Sequence, residues 1–194
     1  MTVPGGAVET VVSSFLLVAA SEMGDKTQLL AFSLATRYRR PWMVMGGILT
    51  ATILNHALAS AAGSWISAQL SPRVVAGLLA ITFVAFGLWT LRPDALEEGQ
   101  RSDRFGPFVT TAVLFFLAEM ADKTQLATVA LAAQYRSVIL VTLGTTLGML
   151  ASDGLAVFLG ERLVARVPMR AVRATAASLF FLFGAASAWT AIRA

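Results

Sequence analysis

Glu22-Met23-Gly24-Asp25-Lys26-Thr27-Gln28 is the stretch that decides the fold, because it returns 97 positions later as Glu119-Met120-Ala121-Asp122-Lys123-Thr124-Gln125. Over positions 22–39, 11 of 18 residues are identical to their partner 97 positions on. Both copies lie in long apolar runs, where an uncompensated carboxylate costs several kcal/mol. The two acidic residues in each copy therefore indicate a functional role, and the simplest such role is to handle a cation.

The composition around the motif is that of an integral membrane protein. Of 194 residues, 57% are hydrophobic and only 13% charged, and the mean hydropathy is +0.72. Six apolar stretches approach or exceed the ~20 residues that cross a bilayer as a helix. They are 41–71, 74–91, 137–152 and 174–192, together with about 7–36 and 105–133, which contain the motif. The sequence predicts an all-α membrane protein with six transmembrane helices.

Charge and cysteine content exclude several classes of function. The chain has no cysteine, so disulfides and thiolate-bound metals are excluded. The isoelectric point is near 10.3, but the basic residues lie in short loops between apolar stretches. They are topology signals rather than a nucleic-acid surface, and the predicted surroundings are a lipid bilayer. The first span is expected to be retained, since its motif recurs later in the chain.

The arginines predict the orientation of the chain. Ten of them would share one side of the membrane: Arg37, Arg39, Arg40, Arg92, Arg101, Arg104, Arg162, Arg166, Arg170 and Arg173. Only Arg73, Arg136 and Arg193 would lie on the other. Because cytoplasmic loops are enriched in Lys and Arg, the expected arrangement is a multi-pass protein of the inner (plasma) membrane with both termini outside.

The repeat extends beyond the motif and divides the chain into two halves. Gly47 matches Gly144, and Phe86-Gly87 matches Phe183-Gly184, each 97 positions apart. The predicted organisation is a three-helix repeat over 1–91, a cytoplasmic linker over 92–104 and a second three-helix repeat over 105–194. An odd number of spans per half inverts the second half. Inverted repeats are typical of secondary transporters, whose substrate site lies near the midplane between the halves.

The spacing within the motif is chemically meaningful if the motif is helical. Glu22 and Asp25 would then share a helix face, and Lys26 would form an ion pair with Glu22 in its own helix. The predicted metal ligands are Glu22, Asp25, Glu119 and Asp122. Supporting oxygens would come from Gln28, Gln125, Thr27 and Thr124, and charge compensation from Lys26 and Lys123.

The predicted ligand set favours a hard cation. Carboxylate and amide oxygens suit Ca²⁺, Mn²⁺ and Mg²⁺, whereas zinc and copper sites use cysteine or several histidines. Four carboxylates and two lysines carry a net charge of −2, which one divalent cation or two protons would neutralise. Competition between metal and protons for the same carboxylates would then couple the two fluxes.

Polar residues in the second helix of each half are further candidates for the ion pathway. Asn55 and His56 occupy the positions that Ser152 and Asp153 occupy in the second half. Asp153 has no cation near it in sequence, which favours a place along the pathway. For His56, a proton carrier and a hydrogen-bonded interhelical histidine are both open.

The duplicated E-x-G-D-K-T-Q motif in a chain of this size resembles the UPF0016, or GDT1, family. The resemblance covers nearly the whole chain, with Ala121 as a departure where the family often has glycine. It implies a secondary transporter that exchanges Mn²⁺ or Ca²⁺ for protons, and bacterial members of this short type resemble manganese exporters. By the same resemblance the motif residues handle the cation, with no cofactor and no enzymatic activity.

Alternatives remain at this stage. The transporter could be a Ca²⁺/proton antiporter, or the protein could be a passive divalent-cation channel, although an inverted repeat suits alternating access better. An intramembrane aspartyl protease is disfavoured, because a lysine directly after each aspartate opposes the shared-proton pair of that chemistry. The sequence leaves open the metal, the proton stoichiometry and whether the chain forms a homo-oligomer.

Overall fold

The computed structural model describes residues 6–92, 105–120, 122–160 and 168–193, and these are helical throughout apart from short connections. Ala121 and residues 93–104, nearly all of the expected linker, lie outside the described residues. Eight helices are present in the described ranges. They are α1 (Ala7–Glu22), α2 (Lys26–Tyr38), α3 (Pro41–Gln69), α4 (Pro72–Thr90), α5 (Gly106–Glu119), α6 (Lys123–Tyr135), α7 (Val138–Leu159) and α8 (Met169–Arg193).

Local sequence signals set many of the helix ends. Pro41 and Pro72 stand at the first positions of α3 and α4, where the missing amide hydrogen is not needed. Ser137 caps α7 by accepting a hydrogen bond from the Leu140 amide. A C-cap arginine with a φ of 51° follows both α2 and α6, Arg39 in the first half and Arg136 in the second. The long helices α3 and α7 begin two residues after these arginines.

Four of the helices are long and apolar enough to cross a membrane singly: α3, α4, α7 and the Arg170–Arg193 part of α8. α1 and α2 meet the criterion as a pair that is bent by 74°, which brings the count to as many as five. α5 is apolar but has only 14 residues. The chain is thus an all-helical, multi-pass membrane protein, and the sixth span expected around α5 and α6 stays a prediction.

The surface and interior have the polarity of a membrane protein. Large apolar side chains such as Ile81, Ile139 and Leu182 are exposed, whereas Glu22 and Asp153 are fully buried. A soluble protein shows the reverse, because water favours charged groups outside and apolar groups within.

The two halves pack through equivalent contacts. α1 packs on α7, and α5, its counterpart, packs on α3. Each of these two interfaces has a glycine at a close approach: a Cβ added to Gly47 would lie 2.7 Å from the Phe108 carbonyl oxygen, and one added to Gly144 would lie 2.6 Å from the Val11 carbonyl oxygen. At the 97-residue spacing, Gly47 corresponds to Gly144 and Val11 corresponds to Phe108. The glycines therefore allow close helix packing.

Candidate cation site

The motif interrupts the helices, and the prediction of a continuous motif helix is wrong. α1 ends at Glu22 and α2 starts at Lys26, while α5 ends at Glu119 and α6 starts at Lys123. Gly24 has a φ of 80°, a conformation that favours glycine, and Asp25 is extended. Asp25 stands at the N-cap of α2 and accepts a hydrogen bond from the Lys26 amide at 2.7 Å. Aspartate is a favoured N-cap residue, so this signal was present in the sequence.

The break changes the ion pairs. Glu22 and Lys26 are no longer on one helix face, and each lysine pairs with the aspartate of the other half. Lys26 Nζ lies 2.8 Å from Asp122 Oδ1, and Lys123 Nζ lies 3.1 Å from Asp25 Oδ2. Lys123 and Asp25 are almost fully enclosed, whereas the Lys26 side chain is 30% exposed. The two ion pairs are equivalent under exchange of the halves and join α2 to α6 across the centre.

Three of the four predicted metal ligands come together. Glu22, Asp25 and Asp122 are buried, and one oxygen from each lies within 4.8 Å of the others. Ca²⁺–oxygen bonds are about 2.3–2.6 Å long, so opposite ligands of one ion lie up to about 5 Å apart. The spacing is therefore compatible with one hard divalent cation. We refer to these three side chains as the carboxylate cluster.

The threonines of both motifs donate hydrogen bonds to Glu22. Thr27 Oγ1 donates to Glu22 Oε2 at 2.8 Å, and Thr124 Oγ1, from the other half, donates to Glu22 Oε1. These hydroxyls orient the glutamate. In the structure these threonines thus position the Glu22 carboxylate, whereas the sequence analysis assigned them as supporting oxygens.

Gln28 stabilises the helix break. Its Oε1 accepts a hydrogen bond from the Gly24 amide at 2.9 Å, and its Nε2 donates to the Ser152 carbonyl oxygen at 2.9 Å and to Ser152 Oγ at 3.3 Å. The Gln28 amide thus connects the break between α1 and α2 to α7. Gln125 is half-buried at the corresponding place in α6.

Glu119 is fully buried but is not part of the carboxylate cluster. Within the described ranges, neither of its carboxylate oxygens has a hydrogen-bond partner. The two glutamates therefore have different surroundings, although the sequence places them equivalently.

The polar residues of α3 and α7 are buried near this centre. Asn55 Nδ2 donates to the Phe116 carbonyl oxygen at 3.1 Å. His56 is fully buried, and neither ring nitrogen has a hydrogen-bond partner among the residues that the structure describes. Asp153 is also fully buried, and neither of its carboxylate oxygens has a hydrogen-bond partner among the described residues. Its neighbour Ser152 accepts both hydrogen bonds from the Gln28 amide, and a place for Asp153 along the ion pathway stays a prediction.

Comparison with known proteins gives consistent matches over the whole length. A family model described as "Divalent cation/proton antiporter GDT1" matches residues 10–98 and again residues 107–194. A Vibrio cholerae protein named "Putative manganese exporter" is 41% identical over 177 residues, which cover 91% of this chain and 88% of the relative. A GDT1-like protein of Synechocystis sp. is 31% identical over 205 residues, with 93% and 97% covered. GDT1-like protein 5 of Arabidopsis thaliana is 29% identical over 98% of this chain and 100% of its own length. No solved structure matches the chain.

Proposed function

This chain belongs to the GDT1 family of divalent cation/proton antiporters, and from that premise we propose that it exports Mn²⁺ from the cytoplasm in exchange for protons. It is a transporter and not an enzyme. Manganese is proposed because the 41% identical relative is named as a manganese exporter. The oxygen donors of the cluster suit Mn²⁺ and Ca²⁺ alike, so a Ca²⁺/proton antiporter is the second candidate.

The carboxylate cluster carries the proposal. We assign Glu22, Asp25 and Asp122 as ligands of the transported cation, because their oxygens converge within 4.8 Å inside an apolar body. Asp122 Oδ2 has no hydrogen-bond partner within the described part of the chain and is open to a cation. Glu119 is retained as a fourth acidic residue of the pathway, and Lys26 and Lys123 compensate charge through the ion pairs between the halves.

The proposed architecture has six spans in two inverted repeats, with both termini outside the plasma membrane. Reciprocal contacts support a two-fold relation between the halves. In an isologous interface, each contact between two residues is repeated by a contact between their equivalents. The ion pairs and the glycine contacts both have this reciprocity. Broken helices at the centre of such repeats are typical of secondary transporters. The proposed segments are 1–91, 92–104 and 105–194.

Coupling follows from charge balance. The four motif carboxylates and two motif lysines leave two negative charges at the centre, which one divalent cation or two protons neutralise. If the halves rearrange only in the neutral state, metal and protons must alternate on the carboxylates. A proton gradient directed inward then drives the metal outward.

The test is metal flux in proteoliposomes with an imposed pH gradient, with Mn²⁺, Ca²⁺ and Mg²⁺ measured side by side. We expect proton-coupled Mn²⁺ flux in the wild type and none in Glu22→Gln or Asp122→Asn, each of which loses a ligand charge without losing bulk. Wild-type flux in either variant would remove the carboxylate cluster as the site. Metal flux without proton counterflow would instead identify a passive channel.

A further inference from the structure

α4 and α8 pack on each other through contacts that repeat when the two helices are exchanged. A Cβ added to Gly87 of α4 would lie 2.5 Å from the Phe181 ring of α8. Gly184 of α8 is the equivalent of Gly87, and a Cβ added there would lie 3.1 Å from Val84. Val84 is in turn the equivalent of Phe181 at the 97-residue spacing. The two helices therefore approach closely at two related points.

Phenylalanine rings join the same two helices in the same reciprocal way. The ring centroids of Phe83 and Phe183 are 5.5 Å apart. Those of Phe86 and Phe180, the equivalent residues, are 5.9 Å apart. Phe83 and Phe180, which are also equivalents of each other, are both fully buried. Interlocked rings and close-packed glycines resist sliding, so α4 and α8 form one rigid unit, the α4–α8 pair.

The α4–α8 pair is docked on only one of two equivalent apolar clusters. The α6 cluster includes four residues of α1 and α6: Leu17, Leu131, Ala132 and Tyr135. The α2 cluster includes their equivalents in α5 and α2: Leu114, Leu34, Ala35 and Tyr38. The α4–α8 pair contributes residues such as Val75 and Phe180 to the α6 cluster. In the described part of the chain, none of its residues belongs to the α2 cluster.

The helices that follow the two motifs differ in burial accordingly. Ala133 of α6 is buried, whereas its equivalent in α2, Thr36, is exposed. At the motifs, the Lys123 side chain is 4% exposed and the Lys26 side chain is 30% exposed. The two lysine ion pairs are reciprocal, so the pairing itself does not explain this difference. The centre is thus enclosed along α6 and accessible along α2.

We propose that α2 and α5 form a second docking surface for the α4–α8 pair, and that transport moves the pair between this surface and its present one on α6 and α1. The inference rests on the proposed transport function and on the two-fold relation of the halves. In the described conformation, α4 packs on α6 and α8 packs on α1. Exchange of the halves turns these contacts into packing of α8 on α2 and of α4 on α5. The α4–α8 pair keeps its internal contacts under this exchange, so the moving unit contains one helix of each half.

The present docking gives the described conformation a direction. In the proposed orientation, α6 leads from the centre to the outer face, and α2 leads to the cytoplasmic face. With the pair on α6, the outer side is covered and Lys26 is accessible from the cytoplasmic side, where Mn²⁺ is collected. Docking on α2 covers the cytoplasmic side and uncovers α6, so that the metal is released outside.

The experiment cross-links cysteine pairs in proteoliposomes, since the chain has no cysteine of its own. Val75→Cys/Tyr135→Cys reports the present docking, because both residues belong to the α6 cluster. The equivalent variant, Val172→Cys/Tyr38→Cys, reports docking of α8 on α2. Val75→Cys/Tyr38→Cys is the matched control, because α4 meets α2 in neither docking. A short bifunctional maleimide with a reducible spacer should link the first two pairs and leave the control unlinked.

Each cross-link should lower proton-coupled Mn²⁺ flux by about tenfold or more, because it holds the α4–α8 pair on one surface. Reduction of the spacer should restore the flux, which also shows that the substituted chains are folded. A second set of variants, one turn closer to the centre, repeats the comparison. It consists of Leu79→Cys/Leu131→Cys for the present docking and Ala176→Cys/Leu34→Cys for the second.

Two results would refute the second docking surface. One is that the pairs between α8 and α2 stay unlinked while those between α4 and α6 are linked. The other is that a chain linked between α4 and α6 transports Mn²⁺ at the wild-type rate. Absence of Mn²⁺ flux from the unsubstituted chain would instead contradict the proposed function. Cross-linking is measured independently of flux, so the two failures can be distinguished.

Discussion

Replacing Lys123 by methionine removes the ammonium group that lies 3.1 Å from Asp25 Oδ2, in a pair whose side chains are 4% and 0% exposed. Methionine keeps most of the length of the side chain, so the main loss is the charge. Removing one partner of a buried ion pair costs about 3–5 kcal/mol, because the other charge stays buried without its counter-charge. For a chain of this length, that corresponds to a melting temperature lower by roughly 6–20 °C.

The double variant Asp25→Asn/Lys123→Met isolates the interaction. Asparagine can still cap α2 and carries no charge, so the double variant should recover most of the loss. Lys26→Met is the matched control: its side chain is 30% exposed, and solvent can compensate Asp122 in part, so its loss should be clearly smaller. The four tryptophans allow unfolding to be followed by fluorescence in detergent. Equal losses in the two methionine variants, or a coupling energy below about 0.5 kcal/mol, would refute the argument.

Three further predictions concern packing, topology and coupling. Gly144→Ala should destabilise the protein, because the new Cβ would lie 2.6 Å from the Val11 oxygen, whereas Gly77→Ala, with nothing within 4 Å, should be neutral or stabilising in the same melting assay. The chain has no cysteine, and Arg39 and Arg136 are exposed, so each can be replaced singly by cysteine. The two cysteines should react with an impermeant maleimide from opposite sides of the membrane. Labelling of both from the same side would contradict the inverted repeat. Mn²⁺ uptake into vesicles should release protons, which a pH indicator can measure. Acidifying one side should weaken Mn²⁺ binding on that side, which equilibrium binding can measure. Mn²⁺ flux that is independent of pH would exclude exchange at shared carboxylates.

Much of the architecture could be predicted because it depends on local composition. Apolar runs long enough to cross a bilayer produce helices, as at Pro72–Thr90 and Val138–Leu159. The spacing of 97 residues marked Gly47 and Gly144 as equivalent, and both lie at close helix contacts. The motif acids were also identifiable as functional, since burial of charge in an apolar run needs a reason.

The prediction of a continuous helix through each motif was wrong, and the sequence shows why. Glu22 and Lys26 are four residues apart, a spacing that in a continuous helix favours an ion pair. Gly24 and Asp25 offered the competing signals of a turn and an N-cap, and these prevailed. The helical periodicity could not show this, because apolar residues continue on both sides of the break.

The sequence by itself determined that this chain is a helical membrane protein with two related halves and a duplicated set of buried acids, because hydropathy and repetition are properties of the chain alone. Only the tertiary structure decided which charges meet. Lys26 faces Asp122 and Lys123 faces Asp25. Glu22 accepts two threonine hydroxyls, whereas Glu119 has no hydrogen-bond partner among the described residues, although their motifs are nearly identical. The physical reason is that ion pairs and hydrogen bonds depend on distances of about 3 Å between atoms. Distances across 97 residues of sequence are set by how α1 to α8 pack, not by the spacing within either motif.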